Sequence, residues 1–229
     1  LGGAGRGYPF GAANIEQGDA RGEDVINIAA FYQITYQATY NATAANCEGH
    51  WNSLYSLINK ANVCIDGFRG AGSRGAVPAA TALQFEAECR FLRAMAHHEL
   101  MVHWARPYRD GNGTQVGVPY RDFAVNVPAT VDLVRNLPRA VGDSVYRRVL
   151  RDLDFAETNM AATTTGTART VRATKAAAIA LKMRVKMHMG DFAGAIVEGL
   201  IAQASFAEST SLIVSTNISR ISRYRGAFS

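Results

Sequence analysis

The sequence predicts an all-α fold built from helical hairpins, with long irregular loops between them. Apolar residues recur at three- and four-residue steps through most of the chain, which is the period of an amphipathic helix. Short stretches rich in Gly, Ser, Thr or Pro separate these segments, as expected for turns and loops. No convincing alternation of apolar and polar residues marks a multi-stranded sheet. The chain is therefore predicted to be a run of helix pairs.

The clearest hairpin covers residues 171–204 and turns at residues 189–192. Gly190 suits the left-handed position that ends a helix, and Asp191 can cap the helix that follows. After the turn, the predicted apolar stripe contains Phe192, Ala195, Ile196, Gly199 and Leu200. Small residues on the facing sides let the helices approach closely, so the turn resembles that of a tetratricopeptide-type repeat. A repeat without its next neighbour would leave an apolar face exposed.

The first 49 residues are predicted to be rich in loops. Residues 1–24 are glycine-rich and polar, and are predicted to be loop. Further along, Tyr32, Tyr36 and Tyr40 fall four residues apart. This spacing places them on one face of a helix and also on one face of an extended strand, so their conformation stays open.

Two long helices are predicted next. Residues 50–68 carry an apolar stripe that Asn62 interrupts as a polar intruder, and a Gly/Ser/Pro-rich loop is predicted at residues 67–78. The second helix begins near Thr81 and continues to about Trp104, because Pro107 cannot continue it.

A connector is predicted at residues 107–142, with turns at Asp110-Gly111 and Asn112-Gly113. A further helix follows, capped by Asp143 or Ser144. The polar stretch at residues 161–167 then separates this helix from the hairpin.

Composition and charge exclude some classes of protein. The chain has 229 residues, of which 48% are hydrophobic and 19% charged, so it can bury a core. No apolar run reaches the roughly 18 residues that span a bilayer. The formal charge is +5, but acidic residues alternate with the arginines, which favours solvated helix faces over nucleic-acid binding.

The three cysteines match no zinc or redox spacing. Cys64 and Cys89 lie within apolar helical patterns, where a thiol usually behaves as a small apolar group. A bridge between Cys47 and Cys64 stays open.

The strongest candidate for chemistry is the histidine-rich stretch at residues 97–103. His98, Glu99 and His103 nearly match the zinc motif HExxH, but one residue too many separates the histidines. His98 and His103 would therefore lie about 140° apart around a helix, at about 100° per residue. Packing is the preferred interpretation, and we expect neither a metal nor another cofactor. The pair Glu86–Arg90 is interpreted as a helix-stabilising ion pair.

Aromatic and amide residues near the N-terminus indicate a different activity. Tyr36, Tyr40 and Asn41 could form a platform for a sugar ring, because aromatic faces cover the apolar side of a pyranose. Packing of the tyrosines on the first helices is the alternative. No pattern assembles a nucleophile with its base, so the chain is predicted not to be an enzyme.

Four stretches of the chain form an ordered set of motifs: WNSLY at residues 51–55 with Ile58 and Ala61-Asn62; EAECRFLRA at 86–94, running on to ARPY at 105–108 and GVPY at 117–120; SVY at 144–146 with LRDLDFAE at 150–157; and RATKAAA at 172–178 with Ala180-Leu181, Arg184-Val185 and Gly190-Asp-Phe192. In these stretches the chain resembles the SusD/RagB-like proteins, the nutrient-binding outer-membrane lipoproteins of Bacteroidetes. Together the four stretches cover about residues 50–204, mostly scaffold positions.

The resemblance implies a cell-surface protein of the outer membrane that captures oligosaccharides or peptides without chemistry. The implied partner is a SusC-like TonB-dependent transporter, and the implied anchor is an N-terminal lipid whose cysteine is not seen here. The chain is predicted to be one SusD-like domain over residues 1–229, the N-terminal part of such a protein. Its predicted segments are a loop-rich start at 1–49, helical repeats at 50–206 and an irregular tail at 207–229.

Two other functions stay open at the level of sequence. Helical repeats could grip a peptide in a groove, which would make the chain a protein–protein interaction scaffold. The third hypothesis is an enzyme, a metal hydrolase around His97, His98 and His103.

Overall fold

The computed structural model describes residues 7–22, 25, 28, 30–41, 44–161 and 171–204. Its helices are α1 (Ala12–Asp19), α2 (Gln33–Tyr36), α3 (Ala45–Ser73), α4 (Ala79–Trp104), α5 (Pro128–Arg135), α6 (Gly142–Asn159), α7 (Lys175–Met189) and α8 (residues 192–204). The predicted tail at 207–229 and most of the polar stretch before α7 lie outside the described residues. The division into one domain with three segments stays a prediction.

The all-α fold class is confirmed. The four long helices pack in succession, α3 on α4, α4 on α6 and α6 on α7. Among the described residues the only extended pairing is an isolated antiparallel bridge between Val116 and Val141. None of the described helices combines the length and the apolar character needed to cross a membrane.

Helix α4 lies at the centre of the core because small residues line it. Ala87, Ala94 and Ala96 are fully buried, and their size allows α3 and α6 to come close on either side. Larger side chains fill the space from the neighbouring helices, including Leu54 of α3 and Leu153 of α6. Full burial of each such side chain contributes about 1.5–3 kcal/mol.

A buried ion pair joins α4 to α6. The Arg93 guanidinium donates two hydrogen bonds to the Asp152 carboxylate, from Nε at 2.8 Å and from Nη2 at 2.7 Å. Its Nη1 donates to Oδ1 of Asn62 at 2.8 Å, and the Tyr120 hydroxyl donates to Asp152 at 2.9 Å. Arg93 is 5% exposed and Asp152 is 1% exposed. Burial of both charges is tolerated because the bidentate geometry and the neutral partners replace their hydration.

The connector between α4 and α5 is fastened to α3 by amide side chains. The Asn62 side chain donates to the backbone carbonyls of Arg121 and Phe123, at 3.1 and 2.9 Å. Asn59 exchanges two hydrogen bonds with the backbone of Val125. Asn62, the residue that interrupts the apolar stripe of α3, therefore connects α3 with α4 and with the connector.

Two predicted loops are wrong. Within residues 1–24, α1 forms because Ala13 and Gln17 pack into the interior, which outweighs the glycine-rich composition. The predicted loop at 67–78 is helical as far as Ser73. A Cβ atom on Gly72 would lie 2.9 Å from the Cβ of Ala82, so this glycine allows α3 and α4 to approach closely instead of making a turn.

The connector contains a helix that the sequence interpretation missed. The predicted turn is present, since Gly111, Asn112 and Gly113 all have positive φ. However, α5 begins at Pro128, a residue suited to the first helical turn. The predicted cap of the next helix is also wrong, because α6 follows Val141 and neither Asp143 nor Ser144 caps it. Asp143 instead accepts hydrogen bonds from Tyr108 and Arg147.

The hairpin turn is confirmed, and small residues make the contact that follows it. Gly190 has φ of 75° and ends α7, and Oδ1 of Asp191 accepts a hydrogen bond from the amide of Gly194. Ala195 is buried, and Gly199 lies so close to α7 that an added Cβ atom would be 3.1 Å from the sulfur of Met183. The large residues of the stripe, Phe192, Ile196 and Leu200, are each about 60% exposed and do not pack on α7. Helix α8 instead buries Glu198, which pairs with Lys182 and Lys186 of α7.

We predict that Asp152→Asn lowers the free energy of unfolding by about 3–5 kcal/mol, because it leaves the buried Arg93 charge uncompensated. Denaturant unfolding followed by circular dichroism measures this change. Asp132→Asn is the matched control: Asp132 pairs with Arg135 at the surface of α5, and both side chains are mostly exposed. We expect the control to change stability by less than about 1 kcal/mol. Equal losses in the two variants would contradict the importance of the buried pair.

Candidate functional site

A pocket of about 330 Å³ lies between the N-terminal segment and the adjoining ends of α3 and α4. This volume is within the usual range for small-ligand sites. The pocket is lined by Asn14, Gln17, Gly18, Arg21, Tyr40, Asn41, Asn46, Cys47, His50, His103 and Trp104. It is formed where the antiparallel helices place the start of α3 beside the end of α4.

The lining combines amide groups with aromatic rings. Four side-chain amides can each donate and accept hydrogen bonds, and Arg21 supplies the only charged guanidinium. Tyr40 and Trp104 supply aromatic rings, and Arg21 lies over the Tyr40 ring at 5.9 Å from its centroid. No aspartate or glutamate is among these lining residues. Such a surface suits a neutral, hydroxyl-rich molecule.

Hydrogen bonds fix the N-terminal wall of the pocket. The Tyr8 hydroxyl donates to Oε1 of Gln17, whose Nε2 donates to the Thr35 hydroxyl at 3.3 Å. Asn14 donates to Oε1 of Glu99 on α4, at 2.9 Å. The wall is therefore joined to α4 by this hydrogen bond, and the buried side chains of Ala13 and Tyr8 pack beneath it.

The floor of the pocket is a cluster of rings from α3 and α4. His50 stacks on Tyr8 with 4.9 Å between centroids, and it meets His103 and Trp104 edge-on at 5.0 and 5.1 Å. Trp104 also contacts Trp51 edge-on at 5.4 Å. The end of α4 is held in place by Arg139, which donates to the backbone carbonyl of Trp104 at 2.6 Å.

Burial changes the charge states of this floor. Burial lowers the pKa of His50 to about 4, and the neighbouring His103 acts in the same direction. Burial alone would raise the pKa of Glu99, but hydrogen bonds from His103 and Asn14 outweigh it, so the net pKa is lowered. At neutral pH the floor therefore holds a neutral His50 beside an ionised Glu99.

The predicted sugar-binding residues are placed in two locations. Tyr40 and Asn41 line the pocket, whereas Tyr36, at the end of α2, is not among the lining residues. The three equally spaced tyrosines do not share a face, since Tyr32 is buried while Tyr36 and Tyr40 are exposed. The assignment of Tyr36, Tyr40 and Asn41 to ligand binding stays a prediction.

Sequence reasoning missed most of the pocket. Asn46 and His50 lie one turn apart on α3, both buried, and this polar pair at the start of an apolar stripe was the available signal. Asn14, Gln17 and Arg21 carried no signal, because α1 itself was not predicted.

The hypothesis of a metal site made by His97, His98 and His103 is wrong. His97 is fully buried, approaches the Arg93 carbonyl at 3.0 Å through Nδ1, and accepts a hydrogen bond from the Arg121 amide through Nε2. His98 packs against Tyr146 and His188, while His103 contacts Glu99. Their spacing along α4 therefore places the three rings against different neighbours.

The cysteines are all free thiols. The sulfur of Cys64 contacts Cys89 and not Cys47. Cys64 is exposed, so it does not pack as the small apolar group that its sequence pattern suggests. Burial raises the pKa of the Cys89 thiol to about 12. This thiol is therefore protonated at neutral pH.

Comparison with known proteins places the chain in a family. The family model described as "Starch-binding associating with outer membrane" matches residues 13–187. The chain belongs to this SusD-like family. The match includes the helical core and also α1, where the pocket wall lies. No match was found among curated proteins.

Solved structures of SusD-like proteins share the fold. A SusD superfamily protein from Bacteroides fragilis is 29% identical with a TM-score of 0.72, over 83% of this chain and 43% of that one. A SusD-like carbohydrate-binding protein from Bacteroides vulgatus is 16% identical with a TM-score of 0.71, over 82% and 38%. A laminarin-binding SusD-like protein is 22% identical with a TM-score of 0.57, over 74% and 32%.

These likenesses confirm the predicted tetratricopeptide-like superhelix. The chain spans less than half the length of each of these solved structures.

We predict that Gln17→Ala loosens the pocket wall without unfolding the helical core. The substitution removes the acceptor of Tyr8 and the donor to Thr35, whereas the core helices lose no contact of comparable importance. Hydrogen exchange should become faster at residues 8–20, and the unfolding midpoint should shift little. Gln33→Ala is the control, because Gln33 is exposed on α2. Unchanged exchange in Gln17→Ala would show that the wall is held by other contacts.

Proposed function

We propose that this SusD-like chain binds oligosaccharides at the cell surface and passes them to a TonB-dependent transporter, without catalysing a reaction. The observation that carries the proposal is the pocket at the start of α3, where side-chain amides surround two aromatic rings. Family membership supports it, since the family is described as starch-binding. The names of two solved relatives, one carbohydrate-binding and one laminarin-binding, point the same way.

The pocket would recognise a sugar through two kinds of contact. The faces of Tyr40 and Trp104 would cover the apolar C–H side of a pyranose ring. Asn41 and Asn46 would exchange hydrogen bonds with its hydroxyl groups, and Arg21 would donate further ones. Asn46 is buried, so it is already desolvated before the ligand arrives.

The proposed absence of catalysis is supported by the small number of carboxylates at the pocket. Glycoside hydrolysis usually requires two carboxylates on either side of the scissile bond. The described lining residues include no carboxylate, and the nearby Glu99 is hydrogen-bonded to both Asn14 and His103. Glu99 alone, already engaged in these hydrogen bonds, does not supply the two carboxylates that such a reaction requires.

Delivery to a transporter and anchoring by an N-terminal lipid are proposed on the family relationship. The family description includes association with the outer membrane. A capture protein that performs no chemistry needs a partner that moves the captured ligand across the membrane, and the family resemblance implies a SusC-like transporter in this role.

We predict that Tyr40→Ala and Asn41→Ala each weaken glycan binding, by about tenfold for the tyrosine because it removes a stacking surface. The intact full-length protein is first screened against polysaccharides and oligosaccharides by affinity electrophoresis, and the hit is then measured by calorimetry. Gln33→Ala is the control, since Gln33 is exposed on α2 and does not line the pocket. Equal affinities for Tyr40→Ala, Asn41→Ala and the unmodified protein would overturn the pocket assignment.

We also predict that the bound glycan changes the intrinsic tryptophan fluorescence of this part of the protein. Trp104 lines the pocket, whereas Trp51 lies behind it against Trp104 and Tyr55. A fluorescence titration should therefore lose its ligand-dependent change in Trp104→Phe and retain it in Trp51→Phe. A change that disappears only in Trp51→Phe would place the ligand elsewhere. If a longer protein is used, the Trp51→Phe, Trp104→Phe double variant measures the fluorescence change that comes from its other tryptophans.

A further inference from the structure

Three residues of types that commonly bind metals lie together at the floor of the pocket. Glu99 and His103 are four residues apart on α4, so they share one face of that helix. His50 comes from α3, which runs antiparallel beside α4 and brings its first turns to this end. One potential ligand atom from each of the three residues lies within 4.8 Å of the other two. Elsewhere among the described residues no comparable cluster of three occurs.

One ring nitrogen of His50 is buried without a hydrogen-bond partner. The residue is 3% exposed, and its Nε2 atom makes no hydrogen bond, although the ring also bonds to the backbone of Pro9. A buried polar nitrogen normally has a partner, so the unpaired Nε2 is a candidate ligand atom. The same imidazole takes part in the cluster with Glu99 and His103.

The distance between the candidate ligand atoms of Glu99 and His103 is close to the distance between two ligands in a zinc site. Zinc binds imidazole nitrogen and carboxylate oxygen at about 2.0–2.2 Å, which places two ligands of a tetrahedral site about 3.3 Å apart. Nε2 of His103 is already 3.0 Å from Oε1 of Glu99. A nitrogen of His50 lies within 4.8 Å of both atoms, and a change of its side-chain torsion angles would bring it to coordination distance.

We propose that His50, Glu99 and His103 bind one divalent metal ion of the zinc type at the floor of the pocket. Two imidazoles and one carboxylate match the ligand preference of Zn²⁺, whereas Ca²⁺ and Mg²⁺ prefer oxygen ligands. His50 and His103 both line the pocket, so a fourth ligand such as water would reach the ion from there.

A neighbouring residue orients the carboxylate. Asn14 of α1 donates a hydrogen bond to Oε1 of Glu99, as residues around metal ligands commonly do. A bound ion therefore connects α3 and α4 directly and α1 indirectly. This inference does not depend on the proposed glycan binding, because the ion would be held by the chain alone.

The test measures zinc binding by the untagged full-length protein after treatment with a chelator. Calorimetric titration with ZnCl₂ should show one site per chain at these residues, and elemental analysis after dialysis should recover about one zinc. Glu99→Gln and His103→Gln should each lower the affinity by about tenfold or more. Glu99→Gln keeps the shape of the side chain, so it tests the site even if the histidine variants fold poorly, which circular dichroism would reveal.

His188→Gln is the matched control. His188 lies beside His98, whose Nε2 is also buried and unpaired, but among the described residues this pair belongs to no cluster of three candidate ligands. Its zinc affinity should equal that of the unmodified protein. The proposal is overturned if the protein binds no stoichiometric zinc, if folded Glu99→Gln binds it with unchanged affinity, or if His188→Gln is the variant that loses it. Glycan binding measured with and without zinc separates this site from the proposed function.

Discussion

The buried ion pair between Arg93 and Asp152 is the constraint on which the rest of the structure depends. Two charges can be buried here only because every partner is present, and those partners come from α3, α4, α6 and the connector. Loss of any one partner would leave a desolvated polar group in the core. The network therefore specifies how the helices are arranged, whereas the surrounding apolar packing supplies most of the stabilisation.

The pocket depends on this arrangement without contributing to it. Fixing α3 against α4 places the first turns of one helix beside the last turn of the other, and this juxtaposition brings His50 to His103 and Trp104. Arg139 holds the end of α4 from the connector side. The floor is therefore part of the helical scaffold, while the wall comes from a separate segment that is attached to it by the Asn14–Glu99 hydrogen bond and by the stacking of Tyr8 on His50.

The parts that could be predicted from the sequence are those determined by neighbouring residues. Helical periodicity identified the long helices, and the local chemistry of Gly190 and Asp191 identified the hairpin turn. Contacts between residues distant in sequence could not be predicted in this way. In the sequence, Asn62 is only a polar interruption of an apolar stripe, because its partners lie about 60 and 30 residues away, at Phe123 and Arg93. Likewise, Glu99 and His103 could not be connected with His50 before the two helices were paired.

The separate origin of floor and wall has a consequence for how such a protein can diversify. Tyr40, Asn41 and Arg21 are exposed and lie outside the Arg93–Asp152 network. Substitutions at these positions should therefore cost less folding free energy than substitutions within the network, while they would change the surface that the proposed ligand meets. A lineage carrying this scaffold could then exchange one ligand preference for another through a few changes in the wall, with the helical core unchanged.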